Sequence, residues 1–140
     1  MAATTFHDGA DATVPGLSTL NHFSAAFFTL TLLTDVLYMR TVVLMWQDFS
    51  SWLLFFGLIS GGVAVLLWLI GVATGRPRVG WGVVILQVLV LVLAVINSLV
   101  HAGDGWTAVV PWGIGLSAVT CVLMLVAAAL GRRTMNRHRT

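Results

Sequence analysis

Lysine and glutamate are absent from this 140-residue sequence: all seven bases are arginine, and all five acids are aspartate (Asp8, Asp11, Asp35, Asp48 and Asp104). Charged residues make up 9% of the chain and the net charge is only +2, so there is no basic face of the kind that nucleic-acid binding needs. The single cysteine, Cys121, excludes an intramolecular disulfide and a thiolate metal cluster, and reads as a small apolar core residue. A metalloprotease motif, paired carboxylates, a phosphate loop and a nucleophile elbow are also missing. No catalytic constellation is complete, and the glycines read as contacts between helices.

What the chain has in quantity is apolar sequence. Hydrophobic residues account for 59% of it and the mean hydropathy is +0.98, far outside the range of soluble domains. The expectation is an all-α polytopic membrane protein. Four runs approach the roughly 20 residues that a spanning helix requires: about residues 17–39, 50–73, 81–100 and 110–130. Short connectors (40–49, 74–80 and 101–109) leave successive helices antiparallel and adjacent, as in an up-down bundle. Asp48, Ser50 and Ser51 are placed to cap the second helix, and Pro111 is compatible with the first turn of the fourth.

Residues 1–16 mix small and polar side chains without a basic segment and do not resemble a cleaved secretion signal, which suggests a loose or interfacial N-terminal arm. Residues 132–140 form a basic tail suited to lipid headgroups. Six arginines (Arg76, Arg78, Arg132, Arg133, Arg137 and Arg139) fall on the side of the termini and the second connector, against Arg40 alone on the other. The positive-inside rule then places both termini in the cytoplasm. Trp46, Trp52, Trp106 and Trp112 crowd one set of helix ends and Trp81 marks the other, as in an aromatic belt.

The organising stretch is the first run. It is apolar enough to cross a bilayer, yet it carries His22 near one end and Asp35 near the other, and lipid tolerates neither. At 100° per residue, Ser24, Thr31, Asp35 and Tyr38 fall within about 60° of one another and form one polar stripe. The third run places Gln87, Ala94, Ser98 and His101 on one face. Gly57, Gly61, Ala64, Trp68 and Gly71 of the second run, and Gly113, Ser117, Thr120, Met124 and Ala127 of the fourth, are small-residue seams for close helix packing. Gly57, Gly61, Gly113 and Ser117 are the packing residues on which these seams rest.

Helices one and three run the same way, so Asp35, Tyr38 and His101 share a depth. Two arrangements are open for Asp35: a carboxylate–imidazole pair with His101, or an ion pair with Arg40 that leaves His101 solvated. His22 is about 20 Å further along the first helix and belongs to another site. His22 and His101, at opposite ends of the bundle, are a poor pair of haem ligands, whereas His22 and His138 are compatible if the fourth helix continues past Arg133.

Several short motifs recur in order. Asn21-His22-Phe23-Ser24-Ala25 is followed by Asp35 and Tyr38, then by Ser51-Trp52-Leu53-Leu54 with Gly57 and Gly61. Pro111, Gly113, Leu116, Ser117 and Ala118 follow, and finally Arg137-His138. In this order and spacing the chain resembles a bacterial family of small four-helix membrane proteins known as domain of unknown function 2231, over nearly all of its length after residue 20. It departs from the family pattern at Ser24 (a proline elsewhere), Gly71 (often aspartate), Val83 (commonly histidine), Gln87 (usually asparagine) and His101 (an arginine elsewhere). The resemblance implies a four-helix inner-membrane protein. An association of relatives with periplasmic dehydrogenases or cytochromes suggests electron transfer.

Two functions are therefore carried forward. The first is a non-enzymatic membrane subunit, anchor or scaffold that meets lipid and a second copy or a larger membrane complex through a remaining small-residue face. The second is a small electron-transfer subunit binding haem b or quinone, with His22 and His138 as its cofactor residues. The polar bundle residues Asp35, Tyr38, Gln87, Ser98 and His101 are the candidates for an intramembrane site.

Overall fold

A computed structural model of the protein describes residues 16–75, 81–103 and 109–137, with side chains described as far as Gly131. The expected N-terminal arm and the tip of the basic tail lie outside the described residues. Four helices follow in order: α1 (Leu17–Thr41), α2 (Leu44–Ala73), α3 (Trp81–Ala102) and α4 (Ile114–Arg137). All four include stretches long and apolar enough to cross a membrane. Helices in contact around the bundle are α1 with α2, α2 with α3, α3 with α4, and α4 back to α1, which gives an up-down ring.

Two boundaries differ from the sequence expectation for physical reasons. The connector expected over residues 40–49 is almost wholly helical, because α2 begins at Leu44 and only Val42 and Val43 break the helices. Val42 takes a left-handed conformation (φ 55°) and donates its N–H to the Tyr38 carbonyl at 2.8 Å, a C-terminal cap usually built with glycine or asparagine. Val43 is extended (φ −89°, ψ 116°), which redirects the chain at once into α2. Ser50 and Ser51 are therefore well inside a helix and cap nothing. At 30 residues α2 is about 45 Å long, so part of it extends past the hydrocarbon core.

The fourth run also begins differently. Val110 is extended (φ −117°, ψ 118°), as suits a residue before proline, and Val109–Gly113 form a wide irregular turn ahead of the regular helix at Ile114. Pro111 belongs to that turn and lies before the first turn of α4.

The core is small. Phe28, Leu54, Val90 and Ala94 are its buried centre, with Leu58, Leu91, Leu123 and Met124 packed against them. Many other large apolar residues, among them Phe23, Leu33, Trp52, Leu66, Ile85 and Leu125, are exposed and form the lipid-facing surface. In lipid such side chains gain little by turning inward, so helix contact depends on close approach. Gly57 provides it: a Cβ there would lie 2.5 Å from Phe28 Cε1. A Cβ on Gly61 would lie 2.5 Å from Leu91 Cδ2 and 2.9 Å from Ser24 Oγ. Ser24 in turn donates across the α1–α2 seam to the Gly57 carbonyl at 2.9 Å.

Candidate functional site

Asp35 is completely buried, and each of the other three helices hands it a donor. Its stripe on α1 (Ser24, Phe28, Thr31, Thr34, Asp35 and Tyr38) is the buried face of that helix. From α2, Ser50 Oγ donates to Asp35 Oδ1 at 2.6 Å. From α3, His101 Nε2 lies 2.9 Å from the same oxygen. From α4, Ser117 Oγ donates to Oδ2 at 2.7 Å. Asp35 and Ser50 lie on either side of the α1–α2 corner, His101 in the last turn of α3 and Ser117 near the start of α4, so all four helices meet here at one end of the bundle.

A second layer holds these donors in place. Asn97 Nδ2 donates to Ser117 Oγ at 2.8 Å, leaving the Ser117 proton for the carboxylate. Thr34 Oγ1 is 2.7 Å from Ser50 Oγ and also lies within 3.0 Å of the Leu30 and Thr31 carbonyls, which ties Ser50 to the α1 backbone. His101 Nδ1 is 2.9 Å from the Asn97 carbonyl one turn back. A carbonyl only accepts, so Nδ1 carries a proton and Nε2 faces the carboxylate. One further proton then lies between Nε2 and Oδ1. Three donors on Asp35, two of them within 2.7 Å, suit an ionised carboxylate opposite an imidazolium.

Gly113 closes the cluster from the irregular turn. A Cβ at that position would stand 3.0 Å from His101 Cε1 and 3.6 Å from Asn97 Oδ1, so a larger residue would have to push the imidazole aside by a few tenths of an ångström. Asn97 Oδ1 is buried without a hydrogen-bond partner.

The chemistry open to this network is limited. Both ring nitrogens of His101 are engaged, and the Ser50 and Ser117 hydroxyls donate to the Asp35 carboxylate and not to the imidazole. The imidazole is therefore not placed as the base of a serine–histidine pair. Among the described residues no group of three or more His, Cys, Asp or Glu side chains could hold a metal ion.

The other residues singled out from the sequence are distributed as follows. Tyr38 is buried on the Asp35 face of α1. Arg40 is exposed and is absent from the Asp35 contacts, which are with Ser50, His101 and Ser117. Ser98 is half-buried, outside the network, and its neighbour Asn97 takes the inward position. Gln87 is half-buried toward the opposite end, where it lines a cleft with Asn21 and Trp68. Gly57, Gly61, Gly113 and Ser117 are all buried, and Ser117 also donates to the carboxylate. His22 is exposed near the start of α1, and His138 lies outside the described residues.

Two members of the cluster, Asn97 and Thr34, are not singled out by the sequence, and Ser50 is singled out only as a helix cap. Ser50 had a signal. The seam of Gly57, Gly61, Ala64, Trp68 and Gly71 steps by alternate fours and threes, and continuing it backward by three to Leu54 and by four more lands on Ser50.

Residues 18–140 match the family described as "Predicted membrane protein (DUF2231)". The chain belongs to that family. The matched region takes in all four helices but for Leu17, and every residue of the Asp35 cluster. No curated protein and no solved structure matches the chain.

Proposed function

We propose that this DUF2231 member is a non-enzymatic membrane subunit or scaffold, in which the Asp35 network clamps four helices into one rigid unit. The observation that supports this reading is that the buried carboxylate takes one donor from each of α2, α3 and α4. An intramembrane acid serving a substrate or ion would be expected to keep an open coordination position or face a water-filled cavity. Here both carboxylate oxygens are engaged and the side chain is wholly enclosed. The broad apolar exterior suits lipid and a neighbouring membrane protein. Within this reading residues 1–16 are a loose or interfacial arm, residues 132–140 a headgroup-binding tail, and both termini are cytoplasmic in a bacterial inner membrane.

The test is purification from membranes in a mild detergent, followed by native mass measurement and a visible spectrum. A colourless protein, alone or with protein partners, is the expected result. A stoichiometric Soret band abolished by His22→Ala would overturn it.

A further inference from the structure

The side of α2 that faces away from the bundle carries an apolar stripe. Met45, Phe49, Trp52, Phe56, Ile59 and Val63 recur at steps of four and three, each between 39% and 61% exposed. At 100° per residue they fall within about 80° of one another, and the buried Ser50, Leu54, Gly57 and Gly61 fall on the opposite side.

Inside the bilayer such a stripe decides nothing, because lipid tails suit any apolar side chain. Its outer end lies beyond the tails. Asp48 is exposed, and hydrocarbon does not tolerate an exposed carboxylate, so the level of Asp48 is already that of headgroups or water. Met45 lies three residues further out along the same helix, about 4.5 Å, and the corner at Val42 and Val43 further still. There the helix is two-sided: Gln47, Asp48, Ser50 and Ser51 are polar, yet Met45 and Phe49 continue the apolar face. Val42 and Val43 beside it are 73% and 46% exposed.

The neighbouring helix α3 does not reach this corner. α1 runs six residues past Asp35 and α2 begins six residues before Ser50, whereas α3 ends one residue after His101, so the α1–α2 corner stands about 7 Å above the end of α3. A second copy can cover it. Copies inserted in one direction hold the corner at the same height, and a two-fold axis along the membrane normal sets α2 beside α2 of the other copy in register. Each stripe residue then meets its own image, from Met45 down into the membrane, as in a parallel coiled coil. The corner bears one base and one acid, Arg40 and Asp48, so no net charge opposes the meeting.

We propose that two copies of this chain pair along the outer stripe of α2, with the apolar corner around Val42 and Met45 as the part of the interface that lipid tails cannot replace. The interface is independent of whether the bundle carries a cofactor, which the visible spectrum decides separately.

The test uses the full chain with Cys121→Ser and one new cysteine, in phosphatidylcholine vesicles oxidised with copper phenanthroline. Trp52→Cys on α2 and Val119→Cys on α4 are a matched pair: the native residues are 61% and 51% exposed, each two residues inward of the serine that its helix gives to Asp35, on helices at opposite corners of the ring. Trp52→Cys should form a disulfide-linked dimer about tenfold more than Val119→Cys, and keep an excess as lipid is added, because paired copies present the two thiols at high effective concentration. Met45→Asp or Met45→Arg, added to the Trp52→Cys chain, should each abolish the cross-link by setting like charges face to face. Vesicles in which those two variants are mixed should regain it, and that recovery separates a lost contact from a fold defect. Equal cross-linking by Trp52→Cys and Val119→Cys would mean collision alone, with headgroups or another protein over the corner, and would overturn the proposal. A Trp52→Cys cross-link indifferent to either charge at Met45 would overturn it as well.

Discussion

Asp35 Oδ1 and His101 Nε2 lie 2.9 Å apart across 66 residues of sequence, joining the far end of the first helix to the far end of the third. The contact is closed from solvent on both sides, with the His101 and Asp35 side chains 1% and 0% exposed. Water and salt therefore cannot screen it as they screen a surface pair. Its worth lies in what would follow from breaking it. A carboxylate left in this position without its imidazole would be a buried, under-compensated charge.

Asp35→Asn and His101→Ala should each destabilise the protein by about 3 kcal/mol or more, and the double variant by clearly less than their sum. Detergent-mediated unfolding of the four proteins of the cycle measures this. The expected coupling is about 1 kcal/mol or larger and little changed in 1 M salt. Additive losses would reduce the pair to two neighbours that happen to touch.

Much of this architecture was legible because lipid imposes simple rules. Four apolar runs of spanning length had to be helices, and short links had to place them side by side. The depth of Asp35 and His101 followed from counting residues along parallel helices. The partners of Asp35 were harder to read. Ser50 looked like a cap because the polar Gln47-Asp48 pair suggested a loop, whereas the chain turns at Val42, a β-branched residue in a left-handed conformation that no propensity scale favours. On α3 the buried line is Val90, Ala94, Asn97 and His101. Ser98 lies about 70° from the centre of that line, and the two adjacent polar residues could be ranked only with the neighbouring helices in place. The closure by Gly113 depends on an irregular turn, which periodicity does not reveal.

The close contact of Gly57 with Phe28 makes a second prediction with a built-in control. Gly57→Ala brings a methyl to 2.5 Å from the Phe28 ring, so either the ring or α2 must move. Overpacking of this kind costs about 1–3 kcal/mol. Phe28→Leu alone should also destabilise, by loss of core contacts, yet combined with Gly57→Ala it should recover part of the alanine penalty because the crowded ring is gone. A double variant as unstable as the sum of the two single variants would show that Gly57 acts through its backbone and not through space for Phe28.

The disposition of the chain in the membrane gives the last prediction. Six arginines lie in the second connector and the C-terminal tail, and only Arg40 sits at the α1–α2 corner. With four spanning helices the termini and the second connector share one side, so the whole asymmetry favours retaining that side in the cytoplasm. The Asp35 clamp, at the end of the bundle with the α1–α2 corner, would then lie near the opposite surface. Single cysteines at Ala3 or Thr140, introduced with Cys121→Ser, should resist a membrane-impermeant thiol reagent in intact cells and react once the membrane is opened. A cysteine at Val42, which is 73% exposed beside Arg40, should react in intact cells. Labelling of the two terminal positions but not Val42 would invert the orientation and place the clamp toward the cytoplasm.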